Sequence, residues 1–226
     1  MTPRQLTLDL DHATRFTAAD FLPAPANEAA LRIIEAWPQW PARGLLIAGP
    51  PGSGKSHLAA IWAERARADV YDAETISEEV IAELDDRAAL VVENIDRASG
   101  SENKLFHLLN IARERAVWLL LTTSQAPGLS WPRLPDLASR LRQMPLAELQ
   151  PPDDSLVRAV LVKLFDDRQL AVDAEVIDYV ATRMERSLGA AREVVAALDE
   201  EALALGRRVT KHVAAAVLAR LASEVD

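Results

Sequence analysis

Hydrophobic positions follow two alternating patterns from Arg43 to about residue 150, and a single pattern after it. "GLLIAGP" (44–50) reads as a strand bounded by glycine and proline, and "KSHLAAIWAERARA" (55–68) carries apolar residues at helical spacing. "DVYDA" (69–73) reads as a short strand, "TISEEVIAEL" (75–84) as a helix with Thr75 at its N-cap, and "ALVVENI" (89–95) as a buried strand. "ENKLFHLLNIARER" (102–115) predicts an amphipathic helix with Leu105, Leu108, Leu109 and Ala112 on one face. "VWLLLTTS" (117–124) is another buried strand. Continuous apolar strands alternating with helices imply a parallel sheet covered on both faces.

The pattern changes at "AELQPPDD" (147–154), where Pro151 and Pro152 remove backbone donors and mark a joint. Beyond it, helical spacing predicts helices near 154–168, 174–186, 189–205 and 210–224. The expected organisation is a tail over 1–15, an α/β domain over 16–150 and a small all-helical domain over 151–226.

Composition narrows the function classes. At 226 residues the chain fits one domain with a smaller appendage, and with half its residues hydrophobic it can bury a sizeable core. It has no cysteine, which excludes disulfides, thiolate metal sites and cysteine nucleophiles and fits a reducing cytosol. Its four histidines show no metal-ligand spacing. Apolar runs such as "AVWLLL" are too short to span a bilayer, and no signal pattern opens the chain. The expected localisation is cytoplasmic, with no membrane partner. A net charge of −9 argues against autonomous binding to phosphate backbones. The basic run "GRRVTKH" (206–212) reads as a solvated turn between helices.

One stretch carries specific chemistry. "GPPGSGKS" (49–56) matches G-x-x-x-x-G-K-[ST] and lies between a predicted strand and a predicted helix, the context such a loop requires. Gly52 and Gly54 let the backbone aim N–H groups at phosphate oxygens, and the helix that follows adds the positive end of its dipole. The candidate nucleotide-binding residues are Pro51, Gly52, Ser53, Gly54, Lys55, Ser56 and His57. Lys55 supplies a mobile charge for the outer phosphates, and the Ser56 hydroxyl is a ligand for Mg²⁺. A loop of this kind needs a carboxylate at the end of a neighbouring strand to hold the metal. In "ALVVENIDR" Glu93 occupies that place. Asn94 follows, where a carboxylate would deprotonate the attacking water; an amide can orient water but cannot accept its proton. Asn94 also has a plain reading, as a strand-end amide capping a loop. Asp96 is the next carboxylate along. These residues predict tight nucleotide binding with slow self-hydrolysis.

Two arginines complete the pattern. "LASRLRQMP" puts Arg140 and Arg142 on a short helix before the last predicted strand, and "SLGAAREVVAAL" puts Arg192 in the first turns of a helix beyond the joint. The order of phosphate loop, acidic strand end, polar strand end "TTS", "SRL" helix and helical domain with an arginine resembles the AAA+ ATPases. Within them, "GPPGSGKSHL", "VVENID", "LLLTTSQAP", "LASRL", "LQPPDD" and "GAAREVVAAL" resemble the DnaA-related family, which includes the Hda regulators. The resemblance runs from about Phe16 to Asp226. It implies an AAA+ fold with the helical domain as a lid. It implies Arg192 as the second sensor of the bound phosphates and Arg140 as an arginine finger acting in trans on a neighbour's nucleotide, with Arg142 as the competing choice. It implies Ser124 as first sensor, although the initiator has an acidic residue there, and Phe21 and Leu22 as the packing surface for adenine. The implied cofactors are ADP or ATP with Mg²⁺.

The same resemblance gives a meaning to "RQLTLDL" (4–10). Relatives of the Hda type begin with a peptide that docks on the replication sliding clamp, a glutamine followed by alternating leucines, as Gln5, Leu6, Leu8 and Leu10 are here. An extended peptide shows alternate side chains on one face, so the leucines enter one groove together. The plain reading of the stretch is a short edge strand. The implied partners are the clamp and DnaA, with self-association common among AAA+ modules and no sequence-specific DNA reading. The function implied is stimulation of ATP hydrolysis on DnaA, preventing over-initiation. The alternative is a self-sufficient ATPase of helicase-loader type. A third reading, a small-molecule kinase, is disfavoured by "GAAREVVAAL".

Overall fold

A computed structural model describes residues 16–97, 102–128, 130–206 and 208–225. The chain divides into two compact units, one spanning Arg15–Gln150 and one built on Pro151–Asp226. The predicted tail residues Gln5, Leu6, Leu8 and Leu10 lie outside the described residues.

The first unit contains a five-stranded, wholly parallel sheet in the order β2-β3-β4-β1-β5. Its strands are β1 (Gly44–Ala48), β2 (Asp69–Asp72), β3 (Ala89–Glu93), β4 (Trp118–Thr123) and β5 (Leu146–Glu148). Its helices are α1 (Glu28–Glu35), α2 (Lys55–Ala66), α3 (Glu78–Ala82), α4 (Glu102–Glu114) and α5 (Pro135–Gln143). The apolar runs of the inner strands serve both faces at once. Leu46, Leu90, Val92, Leu119 and Leu121 join a core with α3, α4 and α5. Their sequence neighbours Leu45, Ile47, Val91 and Leu120 join the opposite core with α1 and α2. Period-two alternation divides each strand between two hydrophobic layers, so no position on the inner strands can be polar without a partner.

Local chemistry moves several element ends. The third helix is shorter than "TISEEVIAEL" suggests, and Ser77 rather than Thr75 caps it: the Ser77 hydroxyl accepts from Val80 N at 3.3 Å. Thr75 is taken up earlier, its N–H and hydroxyl both donating to the Asp72 carbonyl. Strand β3 stops at Glu93 because Asn94 enters the left-handed region at φ 57°, which an asparagine tolerates better than most residues. Helix α1 has no counterpart in the sequence reading. It packs Ile34 beneath the sheet with Trp40 and Trp62, whose rings stack at 5.3 Å.

The second unit is all helical: α6 (Asp154–Asp167), α7 (Ala174–Ala181), α8 (Leu188–Leu205) and α9 (Lys211–Val225). Val157, Leu161 and Phe165 of α6 close on Val176 and Val180 of α7, on Val195 and Leu198 of α8 and on Ala214 and Val217 of α9. Asp153 caps α6, accepting from Leu156 N at 2.7 Å, and Ser187 caps α8, accepting from Ala190 N at 3.0 Å. Gly206, at φ 59°, ends α8 in the left-handed conformation that favours glycine. Helix α7 is shorter than predicted. Its last turn closes when the Thr182 hydroxyl donates to the Asp178 and Tyr179 carbonyls.

Candidate nucleotide-binding site

The carboxyl ends of β1, β3 and β4 lie side by side, the place where open parallel sheets bind ligands. The loop after β1 turns through Gly52 at φ 69° and Gly54 at φ 103°, and α2 begins at Lys55. Gly49 is required for a second reason. A Cβ there would sit 2.9 Å from the Leu149 backbone oxygen and from Ser53 Oγ, so the loop hugs the end of β5 only because it has no side chain. Ser53 N donates back to the Pro50 carbonyl at 3.2 Å, which closes the turn. The first turn of α2 offers N–H groups with no intrahelical acceptor, and these are the groups that cradle phosphate.

Lys55 is buried and bends over its own loop. Its ammonium donates to the Gly49 carbonyl at 2.7 Å and to the Pro50 carbonyl at 3.0 Å. An ammonium has three protons, so one remains for a phosphate oxygen. Burial pushes the Lys55 pKa down, with the neighbouring carboxylate of Asp96 and that of Glu93 pulling it back up and Arg97 adding to the fall. An incoming polyphosphate would supply the negative charge that this desolvated ammonium needs.

Glu93 ends β3, and one of its carboxylate oxygens is buried with no hydrogen-bond partner among the described residues. The buried Ser53 hydroxyl is in the same condition. Orphaned polar groups in a native interior call for an occupant. A hard cation carried by a nucleotide would answer the Glu93 oxygen, and the donor set of Glu93 and the exposed Ser56 hydroxyl is of the oxygen type that Mg²⁺ takes.

The residues after Glu93 are tied to neighbouring strands. Asn94 N donates to Thr122 Oγ1 at 3.1 Å, and its side-chain Nδ2 donates to Asp72 Oδ2 at 2.7 Å. Asp96 reaches to the end of β4, where Ser124 N donates to its two oxygens at 3.1 Å each and the Ser124 hydroxyl also donates to it. Ser124 and Asp96, named separately from the sequence, thus form one polar unit between two strand ends. Asp72 and Thr122 had no role in the sequence reading. Their signal was position at a strand's carboxyl end, which became meaningful only once strand order was known.

The entry segment meets the start of α2. His57 Nε2 lies 2.8 Å from the Thr17 carbonyl, and the rings of Phe16 and Phe21 each lie 5.1 Å from its imidazole. Asn27 fixes the next turn, donating to the Leu22 carbonyl and accepting from Ala24 N. Phe21 and Leu22 are therefore held beside the first turn of the phosphate-loop helix.

Arg140 occupies the last turn of α5, half-buried, with its guanidinium carbon 5.9 Å from the centre of the Phe106 ring on α4. Glu102, one turn earlier on α4, accepts from Arg133 N and Leu134 N at 2.9 and 2.6 Å and pins the start of α5. Arg142 is exposed. Arg192 lies in the second unit, in the second turn of α8, where Nε donates to the Leu188 carbonyl at 3.3 Å. Burial lowers its pKa, opposed by Glu193. No helix among the described residues is long and apolar enough to cross a membrane.

The five-stranded parallel sheet flanked by helices matches the fold of an AAA+ P-loop domain. Proteins similar in sequence include DnaA initiators, and the fold is shared with DnaA and with RuvB of Thermotoga maritima, which superposes with a TM-score of 0.70 at 16% identity, covering 92% of this chain and 72% of that one. DnaA of Thermomicrobium roseum is 26% identical over 215 residues, covering 82% of this chain and 44% of that protein. DnaA of Bacteroides thetaiotaomicron is 23% identical over 222 residues, covering 87% and 47%. The chain thus spans less than half the length of these curated relatives. Domain III of Thermotoga maritima DnaA superposes with a TM-score of 0.76 at 19% identity, covering 97% of this chain and 98% of that one. No protein-family model matches the chain.

Proposed function

We propose that this chain is a nucleotide-gripping regulator of replication initiation that acts on the ATP of another protein. The observation that carries the reading is the pairing of a phosphate loop with an amide. Gly49, Lys55, Ser56 and Glu93 form a nucleotide site, while Asn94 stands where a proton-accepting side chain would drive hydrolysis. Similarity supports the adenine nucleotide as ligand, since DnaA of Aquifex aeolicus is known bound to AMPPCP and superposes with a TM-score of 0.66 at 17% identity. Bound Mg²⁺ would neutralise phosphate charge, with Ser56 and Glu93 as its protein ligands. Phe21 and Leu22 face the adenine, and Arg192 senses the phosphates.

In this reading the tail residues Gln5, Leu6, Leu8 and Leu10 dock on the sliding clamp. Arg140 reaches the ATP of DnaA and stabilises charge that develops only in the transition state, an effect worth ~10³–10⁵ in rate for such fingers. The initiator is left with ADP. The working ligand of the regulator is ADP or ATP.

ATP hydrolysis measured for the protein alone, with DnaA, and with DnaA and DNA-loaded clamp tests this. Expected are turnover below ~1 s⁻¹ alone, the lower end of ordinary enzyme rates, and strong stimulation of DnaA when all three are present. Robust turnover by the chain alone would favour a self-sufficient ATPase of helicase-loader type. Arg140→Ala should keep clamp capture and lose stimulation; full stimulation by that variant removes the finger role.

A further inference from the structure

The chain leaving β3 is moored step by step on the end of β4, the strand that separates β3 from β1. Asn94 N donates to Thr122 Oγ1 at 3.1 Å, and Ile95 N donates to the Thr122 carbonyl at 3.0 Å. Asp96 holds Ser124 just past the strand, and the buried Ile95 side chain anchors the segment in the core. The phosphate loop is moored on the same strand from the other side, where Gly49 N donates to the Thr123 carbonyl at 3.2 Å. The two segments therefore converge over one strand end, with Lys55 on one and Arg97 on the other. Arg97 N closes its own turn by donating to the Asn94 carbonyl at 2.9 Å. Its side chain is exposed, and among the described residues its guanidinium makes no hydrogen bond or ion pair. The adjacent carboxylate, Asp96, is taken up by the N–H and hydroxyl of Ser124. Lys55 feels Arg97 as a like charge: burial is the main cause of the fall in its pKa, Asp96 and Glu93 oppose that fall, and Arg97 adds to it. Two cations held toward one another destabilise the protein alone, and an anion within reach of both relieves them.

We propose that Arg97 is a phosphate ligand acting within its own chain, binding the outermost phosphate of a nucleoside triphosphate and so favouring ATP over ADP. The proposal rests on the nucleotide site described above. Arg97 follows Glu93 on the same strand exit, so it approaches from the side of the metal-ligand carboxylate. Phe21 and Leu22 stand instead with the entry segment beside the start of α2, on the side given to the base. A guanidinium presents its donors as a planar fork that matches phosphate oxygens, and it keeps its charge at any pH the protein meets. Arg97 differs from the two arginines singled out by pattern. Arg140 is assigned to a neighbour's nucleotide and Arg192 belongs to the helical unit, whereas Arg97 is built into the loop that carries the acidic strand end. A diphosphate ends short of this position, so the cation discriminates by the number of phosphates.

The test is calorimetry on the full chain with ATP and with ADP, each with Mg²⁺, for wild type, Arg97→Ala and Arg97→Lys. A hydrogen bond to a charged phosphate is among the stronger kinds, and exposure to solvent discounts it. Arg97→Ala should therefore lower ATP affinity ~10-fold while ADP affinity changes less than ~2-fold. Arg97→Lys keeps the charge but loses the fork, and its ATP affinity should fall between the other two. The gap between wild type and Arg97→Ala should narrow as salt is raised, because the contact is electrostatic and exposed. Both affinities are read in the same variant, so a general loss of folding would lower them together and could not imitate a loss confined to ATP. ATP affinity unchanged in Arg97→Ala, or lowered equally with that for ADP, would overturn the proposal and leave the nucleotide site standing. Absence of binding of either nucleotide by the wild type would overturn the nucleotide site itself, and the proposal with it.

Discussion

Lys55 shows how a single side chain can be arranged for a ligand at some cost to the protein alone. Its ammonium is desolvated, satisfied in part by two loop carbonyls, and its pKa is lowered mainly by burial. Lys55→Met removes that buried charge while keeping much of the stem's packing. The nucleotide-free variant should therefore melt no lower than wild type, while its ATP affinity falls at least ~100-fold; paired melting curves and calorimetry check this. A drop in the midpoint of the nucleotide-free protein would mean that the ammonium's contacts with Gly49 and Pro50 outweigh its desolvation. The lysine was recognisable from eight consecutive residues, because a phosphate loop is a local device built from neighbours in sequence. Asp72, by contrast, was invisible there: its partner Asn94 lies 22 residues away and becomes adjacent only when β2 pairs with β3.

Helices α4 and α5 work as a bracket. Glu102 pins the backbone entering α5, and four residues further along the same face of α4, Phe106 lies beneath the guanidinium that α5 carries at its other end. In the helical unit the capping residues do comparable work. Asp153 has its pKa lowered, first by the Leu156 N–H and then by the Ser155 hydroxyl. A depressed carboxylate contributes stability that is present above the ordinary aspartate range and lost as pH falls through the lower folded value. Helical circular dichroism on an acid titration should show that loss in the wild type and a flatter acid limb in Asp153→Ala. Such caps are legible from sequence because the bond spans three residues, yet Thr75 illustrates the limit. Its hydroxyl is claimed by the Asp72 carbonyl, and the cap passes to Ser77. A turn tied to the end of β2 outcompeted a local preference.

Across the molecule, nucleotide binding should couple to folding of the first unit. A ligand present at 100 times its Kd stabilises by about 2.7 kcal/mol, which raises the midpoint of a domain of ~150–250 residues by roughly 5–10 °C. ADP and ATP should both produce the shift, and Lys55→Met should show only a small fraction of it. Dense apolar runs already implied a buried parallel sheet, since a strand without a polar face must be covered twice. The proline pair, the phosphate loop and the acidic strand end were likewise written in short stretches of chain, where the physics involved is steric, helical or electrostatic over a few residues. Strand order was not. Periodicity records whether a residue is buried but not which residue it meets, so the joining of Ser124 to Asp96, the hold of Asp72 on Asn94 and the seat of Phe21 against His57 came only from the folded chain. Those contacts depend on register between segments distant in sequence, a quantity no local pattern encodes.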